Sequence, residues 1–245
     1  MNFGKYSKLY DLLNDDKNYK SEAEYFLSFS DQKKFNKAIE IGSGTGGHAQ
    51  YLKEKTNLTC IEKSQEMGKI AATKLDCKVI IGDILDLEFA DNSFDMCFCL
   101  FHVINYLNTN KQMMIFFEKV SKFLKRGGKL IFDFWHTPSV YKMGAISRRK
   151  VRYCDNLVIE RVSEPIILLK ENIISVNFDF KIWNKENNEI LDQYSENHLM
   201  RPFSIPEIQI FCELFNLKSV GYYNNLTNNK PSLESWDICA VLTKI

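Results

Sequence analysis

A glycine-rich turn is the part of this sequence whose residue types and spacing most clearly point to chemistry. Gly42, Gly44, Gly46 and Gly47 follow a short apolar run at residues 38–41. Glycine has no side chain, so such a turn lets the backbone come close to a ligand at the edge of a sheet. The turn therefore predicts a ligand site at the carboxyl end of the preceding strand.

The spacing of these glycines fits two kinds of cofactor. Gly42, Gly44 and Gly47 satisfy the GxGxxG pattern of dinucleotide binders. Gly42, Gly44 and Gly46 satisfy instead the GxGxG pattern of enzymes that use S-adenosylmethionine (SAM). The glycines alone leave both cofactors open.

Acidic residues at the ends of the next apolar runs help to separate the two interpretations. Glu62 ends the second run, 20 residues after Gly42, where a carboxylate can accept hydrogen bonds from both ribose hydroxyls. Asp83 ends the third run beside Ile84, where the adenine of SAM would lie, and Glu40 precedes the glycines by two residues. The dinucleotide interpretation does not predict Asp83 beside Ile84, so the set favours SAM.

The hydrophobic pattern predicts the elements that position these residues. Between residues 37 and 135, short apolar runs alternate with helix-like segments, which is typical of βαβ units and a parallel sheet. A helix with one apolar face is predicted over residues 113–124, ended by Gly127 and Gly128. The predicted strands are residues 38–41, 58–61, 78–81, 94–100 and 129–134.

The N-terminal segment is predicted to be helical. Ser21 to Glu24 fit a capping box that would begin a helix running to about Phe29. We therefore expect a helical lid over residues 1–36, ahead of a cofactor-binding core over residues 37–138.

The residue pattern changes after Pro138. Apolar and polar residues alternate along residues 174–182, which predicts a half-buried strand of an antiparallel sheet. We expect a β insertion over residues 139–201 and a return to the core over residues 202–245. The elements predicted in this last part are a helix that begins with a capping box at residues 204–207 and strands at residues 219–223 and 236–242.

The glycine turn, Glu62 and the pair Asp83–Ile84 together resemble the class I SAM-dependent methyltransferases. The resemblance implies an α/β fold with a seven-stranded Rossmann-like sheet, helices on both faces and a reversed last strand, for which residues 236–242 are placed. It implies SAM as cofactor and S-adenosylhomocysteine as product. The cofactor-binding residues expected from it are Tyr19, Glu40, Gly42, Ser43, Gly44, Gly46, Glu62, Lys63, Met67, Asp83, Ile84 and Leu100.

Residues 101–106, 132–135 and 196–201 resemble a bacterial branch of this class found with nucleotide-sugar and polysaccharide enzymes. Its relatives include the dTDP-aminosugar N,N-dimethyltransferases, which carry a β insertion that shapes the sugar pocket. The resemblance implies methyl transfer to an amine or hydroxyl of a small acceptor, a nucleotide-linked sugar of polysaccharide or secondary-metabolite pathways.

His102 is a candidate general base. It follows the fourth predicted strand, near where the transferred methyl should lie, and imidazole has an ordinary pKa near ~6.5, which suits proton transfer. Packing against the adenine or the N-terminal helix is the alternative. Tyr10, Tyr106 and His198 are further candidates for orienting the acceptor, each with a structural role as the alternative.

Arginines in the β insertion could bind a diphosphate, because guanidinium groups contact phosphate oxygens in pairs. A solvated charged face is the alternative. The expected substrate-binding residues are Trp135, Arg148, Arg152, Arg161 and Arg201. We expect His48 to be exposed, and the four scattered histidines predict no metal site.

Composition and charge exclude several classes of function. Lys plus Arg number 32 and Asp plus Glu 31, so a net charge of +1 gives no basic field to hold a nucleic acid. The longest apolar stretch, residues 96–104, is far shorter than the ~20 residues of a membrane span. With a charged N-terminus, we expect a cytoplasmic protein without a membrane partner, for which a homodimer is one compatible assembly. An NAD-dependent oxidoreductase and a SAM-binding protein without turnover are the alternative functions.

Overall fold

The strands form two separate sheets. This computed structural model describes residues 7, 9–30 and 36–245. The strands described are β1 (Lys37–Ile41), β2 (Asn57–Glu62), β3 (Lys78–Ile81), β4 (Phe94–Cys99), β5 (Leu124–Trp135), β6 (Arg148–Cys154), β7 (Leu157–Leu168), β8 (Ile173–Asn184), β9 (Ile190–Met200), β10 (Leu217–Asn224) and β11 (Asp237–Lys244).

Helices lie between most strands of the larger sheet and ahead of its first strand. They are α1 (Tyr10–Leu13), α2 (Tyr19–Leu27), α3 (Ala49–Leu52), α4 (Gln65–Lys74), α5 (Asn110–Phe123), α6 (Thr137–Met143) and α7 (Ile205–Leu214), with a 3-10 turn at Val103–Tyr106. None of the described helices has the length and hydropathy needed to cross a membrane.

The larger sheet has the strand order β10-β11-β5-β4-β1-β2-β3. β1 pairs in parallel with both β2 and β4, whereas β11 runs antiparallel to β5 and β10. The chain therefore reverses its direction of travel across the sheet at β1 and β4, which leaves a crevice at their carboxyl ends. The predicted α/β fold with a reversed last strand is confirmed.

Helices cover both faces of this sheet. Ile39 of β1 is in one buried cluster with Phe117 of α5, while its neighbour Ala38 is in another with Phe26 of α2 and Leu52 of α3. Because successive side chains of a strand point to opposite faces, β1 is buried on both sides. This two-sided burial explains why its sequence is a continuous apolar run.

The second sheet is antiparallel, with the order β6-β7-β8-β9. Along β8, Ile174, Val176 and Phe180 are buried, and the intervening Ser175 and Asp179 are more exposed. The alternation confirms the predicted half-buried strand. The strands span residues 148–200 and α6 precedes them, so the boundaries proposed for the β insertion remain a prediction.

The predicted start of the N-terminal helix is wrong. α2 begins at Tyr19 because the side chain of Asn18, not of Ser21, caps it by accepting a hydrogen bond from the N–H of Ser21. The other capping box is confirmed, since Ser204 and Glu207 exchange the two expected bonds at the start of α7. The rest of the expected lid, residues 1–6, 8 and 31–35, lies outside the described residues.

The predicted stop at Gly127 and Gly128 is also wrong. α5 ends at Phe123 and β5 begins at the next residue, so both glycines lie inside a strand. Gly127 has a φ of +78°, and the pairing of β5 with β4 is irregular at this point. The glycines therefore accommodate a bulge in β5.

Candidate active site

A cavity of about 300 Å³ lies at the carboxyl ends of β1 to β4. Its core half consists of the lining residues within 41–48, 61–67, 82–85 and 100. Its cover half consists of the lining residues within 10–19, 101–112, 135 and 161–200. The larger sheet thus forms one side of the cavity, and the N-terminal helices and the second sheet close the other.

The glycine turn has a backbone conformation that other residues avoid. Gly42, Gly44 and Gly46 have φ values of +71°, +56° and +90°. A Cβ atom on Gly42 would also lie 2.5 Å from the side chain of Val103. Glycine is therefore required at position 42 by its left-handed backbone and by close packing.

Glu62 holds the glycine turn from the end of β2. Its Oε2 accepts a hydrogen bond from the N–H of Gly44 at 2.8 Å, and its Oε1 accepts one from the N–H of Ser64 at 2.7 Å. Burial raises the pKa of Glu62 above its ordinary value, although these N–H groups act in the opposite direction. Sequence reasoning assigned Glu62 to a ribose and missed its contact with the turn.

Glu40 lies beneath the turn and does not line the cavity. It is 2 % exposed, and its Oε2 has no hydrogen-bond partner among the described residues. Burial raises the pKa of this carboxyl to about 8. A buried carboxyl oxygen without a partner beside the turn fits a cationic ligand group, such as the amino group of SAM.

His48 is buried, so the expectation of an exposed side chain is wrong. Its Nε2 lies 2.8 Å from Oε2 of Glu22 in α2, and the ring of Tyr19 packs edge-on against it at 5.0 Å. Burial lowers the pKa of His48. The residue therefore joins the N-terminal helices to the segment that follows the glycine turn.

Most of the residues expected to bind the cofactor line the cavity. They are Tyr19, Gly42, Ser43, Gly44, Glu62, Lys63, Met67, Asp83, Ile84 and Leu100. Glu40 and Gly46 do not line it. Lys63 and Asp83 form an ion pair at 2.6 Å between the ends of β2 and β3. Their roles toward a cofactor remain predictions.

The candidate catalytic residues come together in the cover half. Tyr10, His102, Tyr106 and His198 all line the cavity, although they belong to different elements. Tyr106 Oη lies 2.8 Å from Nδ1 of His198, whose Nε2 is 3.4 Å from Glu196. Glu196 favours the tautomer with the proton on Nε2, and in that tautomer the Tyr106 hydroxyl donates to Nδ1.

The backbone at His102 is strained. Phe101 and His102 have φ values of +63° and +61°. Such conformations cost non-glycine residues about 1–3 kcal/mol each and are concentrated at functional sites. Asp133 of β5 fixes this conformation, because its Oδ2 accepts a hydrogen bond from the N–H of His102 at 3.1 Å and lies 2.8 Å from Nδ1 of the ring. Asp133 was not among the predicted site residues.

The buried carboxylate of Asp133 affects the pKa of His102. Burial lowers the pKa of His102, but the facing carboxylate outweighs burial and raises this pKa above its ordinary value. Burial raises the pKa of Asp133, and His102 outweighs that effect to hold it below its ordinary value. Each group therefore stabilises the charged form of the other.

Trp135 and Arg161 are the expected substrate-binding residues that line the cavity. The guanidinium of Arg161 lies over the ring of Phe178, 5.0 Å from its centre. Phe178 also lines the cavity and was not predicted, since on sequence it reads as one more apolar residue of an alternating strand. The described residues of the cover half thus include a guanidinium group that packs over an aromatic ring.

The other expected arginines do not line the cavity, and their role toward a substrate remains a prediction. Arg152 binds Asp15 and Asp16 at 2.7 and 2.8 Å. Arg201 lies 3.3 Å from the carboxylate of Glu207 in α7, and Arg148 is exposed on β6. Carboxylates and solvent take the guanidinium groups that were expected to bind phosphate.

Ionic contacts tie the N-terminal helices to both sheets. Asp11 binds Thr45 of the glycine turn and Lys74 of α4. On the other side, Lys150 of β6 binds Asp16 at 2.8 Å. This hydrogen bond is the main cause that lowers the pKa of Asp16 to about 2. We call residues 10–27 the lid, because they bridge the core and the second sheet above the cavity.

Three donor groups in this region lie close enough together to share a metal ion by distance alone. The relevant atoms of His102, Asp133 and Asp237 are within 4.8 Å of one another. The 2.8 Å contact between Nδ1 of His102 and Asp133 is within ion-pair distance, although it lacks hydrogen-bond geometry, so an ion pair accounts for the close approach of these two groups. The predicted lack of a metal remains a prediction.

Known proteins give an independent view of the core half. Residues 38–128 match the family model described as a methyltransferase domain, and this range contains the glycine turn, Glu62 and Asp83. This part of the chain is similar to a methyltransferase domain. The glycine spacing expected of a SAM-dependent methyltransferase is that of Gly42, Gly44 and Gly46. Gly47 serves packing instead, since a Cβ there would lie 2.5 Å from the ring of Tyr19.

The chain is similar over most of its length to a putative methyltransferase of Bacillus subtilis, YqeM, with 24% identity over 202 residues, 80% of this chain and 79% of that protein. A SAM-dependent methyltransferase of Clostridium acetobutylicum has a TM-score of 0.81 at 20% identity, covering 98% of both chains. The sugar N-methyltransferase KedS8 of a Streptoalloteichus species has a TM-score of 0.82 at 16% identity, covering 98% of this chain and 92% of that one. At these identities the two structures show a shared fold.

Proposed function

We propose that this protein is a methyltransferase, which transfers a methyl group from SAM to an amine or hydroxyl of a small acceptor, a nucleotide-linked sugar. The observation that carries this proposal is a single cavity that extends from the core half to Arg161 and Phe178 of the second sheet. A sugar nucleotide requires a cation for its diphosphate and flat apolar surfaces for its rings. The cover half contains both.

The core half would hold SAM. Glu62 is assigned to the ribose hydroxyls, Asp83 with Ile84 to the adenine, and the buried Glu40 carboxyl to the amino group. When bound, SAM supplies a methyl group activated by its positively charged sulfur. Tyr19 lines the cavity from the lid, so lid contacts would exclude water from this half.

The cover half would orient the acceptor. Arg161 would donate to the diphosphate, Trp135 and Phe178 would pack against the rings, and Tyr10 and Tyr106 would contact the group to be methylated. Holding two reactants in line supplies most of the acceleration of such a transfer. The same fold in KedS8, a sugar N-methyltransferase, is compatible with this assignment.

A methyl-transfer assay with purified protein tests the proposal. SAM is incubated with a panel of nucleoside diphosphate hexoses, each paired with the same sugar lacking the nucleotide. We expect S-adenosylhomocysteine to form together with a methylated sugar nucleotide, at a rate at least ~10-fold above that of the free sugar. The reason is that Arg161 would bind the diphosphate, which the free sugar lacks.

Equal rates with and without the diphosphate would contradict the nucleotide-linked acceptor. S-Adenosylhomocysteine formed without any methylated sugar would indicate another acceptor class. A thermal-unfolding control with S-adenosylhomocysteine shows that the protein used is competent, since a ligand at 100 times its dissociation constant stabilises by ~2.7 kcal/mol.

A further inference from the structure

Asp133 lies beside the cover half, where it binds both the backbone and the ring of His102. It is 1 % exposed. Its Oδ2 accepts a hydrogen bond from the N–H of His102 at 3.1 Å and lies 2.8 Å from Nδ1. With Nδ1 this close to the carboxylate, Nε2 is the ring nitrogen left to take a proton from a molecule in the cavity, which His102 lines.

The backbone gives a second, independent observation. Phe101 and His102 are consecutive non-glycine residues in the left-handed region. Such strain persists where the surroundings impose it, and it is concentrated at functional sites. The hydrogen bond to Asp133 is one such constraint. The arrangement fits a ring that is held in one orientation for chemistry.

The charged groups that face His102 come from three elements. They are Asp133 of β5, Asp237 of β11 and Lys17 of the lid, whose Nζ is 4.1 Å from the centre of the Phe101 ring. Burial lowers the pKa of His102, the two carboxylates raise it and Lys17 lowers it, with a raised pKa as the net direction. A raised pKa makes the neutral imidazole a stronger base.

The charges of the cavity bear on the acceptor atom. Among the described residues that line it, the carboxylates are Glu62 and Asp83, both in the core half. The cover half contains the cation Arg161. An acceptor amine that arrives protonated would therefore meet no carboxylate among the described residues that line the cover half, whereas a neutral hydroxyl needs none.

We propose that the acceptor atom is a hydroxyl oxygen and that Asp133 is the positioning residue that makes His102 its general base. This inference rests on the proposed function and narrows it to O-methylation. The oxygen forms a bond to the methyl carbon while the sulfur–methyl bond breaks and its electron pair stays on sulfur. The hydroxyl proton passes to Nε2 of His102. The products are a methyl ether, S-adenosylhomocysteine and an imidazolium, which later releases its proton to water.

The role of Asp133 can be measured without an acceptor. Nitrogen-15 NMR follows the His102 ring in the complex with S-adenosylhomocysteine, for the wild type, Asp133→Asn and the matched control Asp237→Asn, with His102→Gln to assign the signals. We expect the wild type to carry its neutral-state proton on Nδ1. In Asp133→Asn the titration moves to lower pH, and in Asp237→Asn it moves less. Identical titrations in the wild type and Asp133→Asn would overturn the positioning role.

Kinetics test the acceptor atom. UDP-glucose and UDP-glucosamine form a pair that differs in a hydroxyl or an amine at one carbon, and other hexoses of the panel can be paired in the same way. We expect the hydroxyl form to react at least ~10-fold faster, because the base takes its proton during transfer. Transfer to the amine at an equal or higher rate would overturn the hydroxyl assignment.

The same assay separates positioning from a purely structural role. Asp133→Asn is expected to lower kcat about 100-fold, with KM and S-adenosylhomocysteine affinity nearly unchanged, and to move the rising limb of the pH–rate profile to lower pH. In a His102→Gln background, Asp133→Asn should have little further effect, because both act through one base. If the two substitutions lower kcat additively, Asp133 does not act through His102 and the inference is wrong. Activity that a chelator removes and a divalent metal restores would also overturn it.

Two remaining outcomes are also informative. If Asp133→Asn does not fold, His102→Gln takes its place and must lower kcat for the hydroxyl acceptor by a similar factor, or the inference is wrong. If no sugar nucleotide is methylated although S-adenosylhomocysteine binds, the proposed function is wrong. The titration of His102 then decides the dyad on its own, since that measurement needs no acceptor.

Discussion

The two halves of the cavity are built from different materials. The core half presents backbone N–H groups and glycines at the ends of parallel strands, held from below by Glu62, which contacts the N–H groups of Gly44 and Ser64. The cover half presents side chains from the lid, β5 and the second sheet, such as Trp135 and Arg161. One half depends on strand ends within a single sheet, and the other on how separate elements meet.

This difference affects how each half responds to substitution. In the core half, a change at the turn must alter the backbone itself, because Gly42 has a positive φ and contacts Val103 closely. In the cover half, a side chain can be exchanged while the strand that carries it keeps its pairing. We therefore expect core substitutions to affect folding and cofactor together, and cover substitutions to affect the acceptor alone.

Gly42→Ala should give the largest effect. The new Cβ would be placed at a φ of +71° and 2.5 Å from Val103, so we expect a loss of stability of about 3 kcal/mol. S-Adenosylhomocysteine affinity should fall about 100-fold or more, as measured by calorimetry beside urea unfolding. The matched control is Gly127→Ala, which has a φ of +78° but nothing within 4 Å and should cost about 1 kcal/mol. Equal losses of stability in the two variants would show that the close contact between position 42 and Val103 does not contribute.

Glu62→Gln should come next and affect the core half alone. The amide cannot accept two N–H bonds in the same way, and hydrogen bonds to charged groups contribute about 1.5–3 kcal/mol, so S-adenosylhomocysteine should bind about 30-fold more weakly. The exposed Glu118→Gln is the control in titration calorimetry. If the acceptor KM rises as much as the cofactor dissociation constant, the two halves are not separable.

Arg161→Gln should show the reverse pattern. Loss of the cationic fork beside Phe178 should raise the KM for a nucleotide sugar on the order of tenfold and leave S-adenosylhomocysteine affinity unchanged. Steady-state kinetics with both substrates measure this. Arg149→Gln on β6 is the control, since that guanidinium is exposed and paired with Glu160. A weaker cofactor affinity in Arg161→Gln would contradict the proposed division.

The same division explains what the sequence could predict. Glu62 ends β2 and Asp83 lies two residues beyond the end of β3, so the hydrophobic pattern located both at one edge of the sheet. Most of the expected cofactor residues do line the cavity there. Arg152 could not be assigned in this way, because its partner Asp15 is 137 positions away in the chain. The stop expected at Gly127 failed for the same reason, since pairing with distant strands extends β5 back to Leu124.

Asp133 shows that a missed residue had left a signal. It is a single carboxylate in the middle of an apolar run, between Phe132 and Phe134. A buried charge is costly unless a partner compensates for it, so its position alone predicts a partner. The sequence could not name His102 as that partner, because the contact depends on the left-handed backbone after β4.

The contact between Arg152 and the lid should give the smallest effect, and it tests whether the two halves of the cavity are coupled. Arg152→Gln removes the ion pairs to Asp15 and Asp16 that join the lid to the second sheet. Each of these pairs is partly exposed and contributes at most about 1 kcal/mol, so S-adenosylhomocysteine should dissociate about two- to fivefold faster. Stopped-flow measurements at low and high salt check this, because screening should remove the difference between wild type and variant.

Lys142→Gln is the control for the lid, since its partner Glu234 lies outside the lid and the cavity. A salt-dependent effect of Arg152→Gln that Lys142→Gln lacks would mean that the second sheet controls cofactor release through the lid. The two halves would then bind different molecules, but the second sheet would affect the rate at which the cofactor dissociates. If Arg152→Gln has no effect at any salt concentration, the lid is held by the contacts of Asp11 and Glu22 with the core. The two halves of the cavity would then act independently.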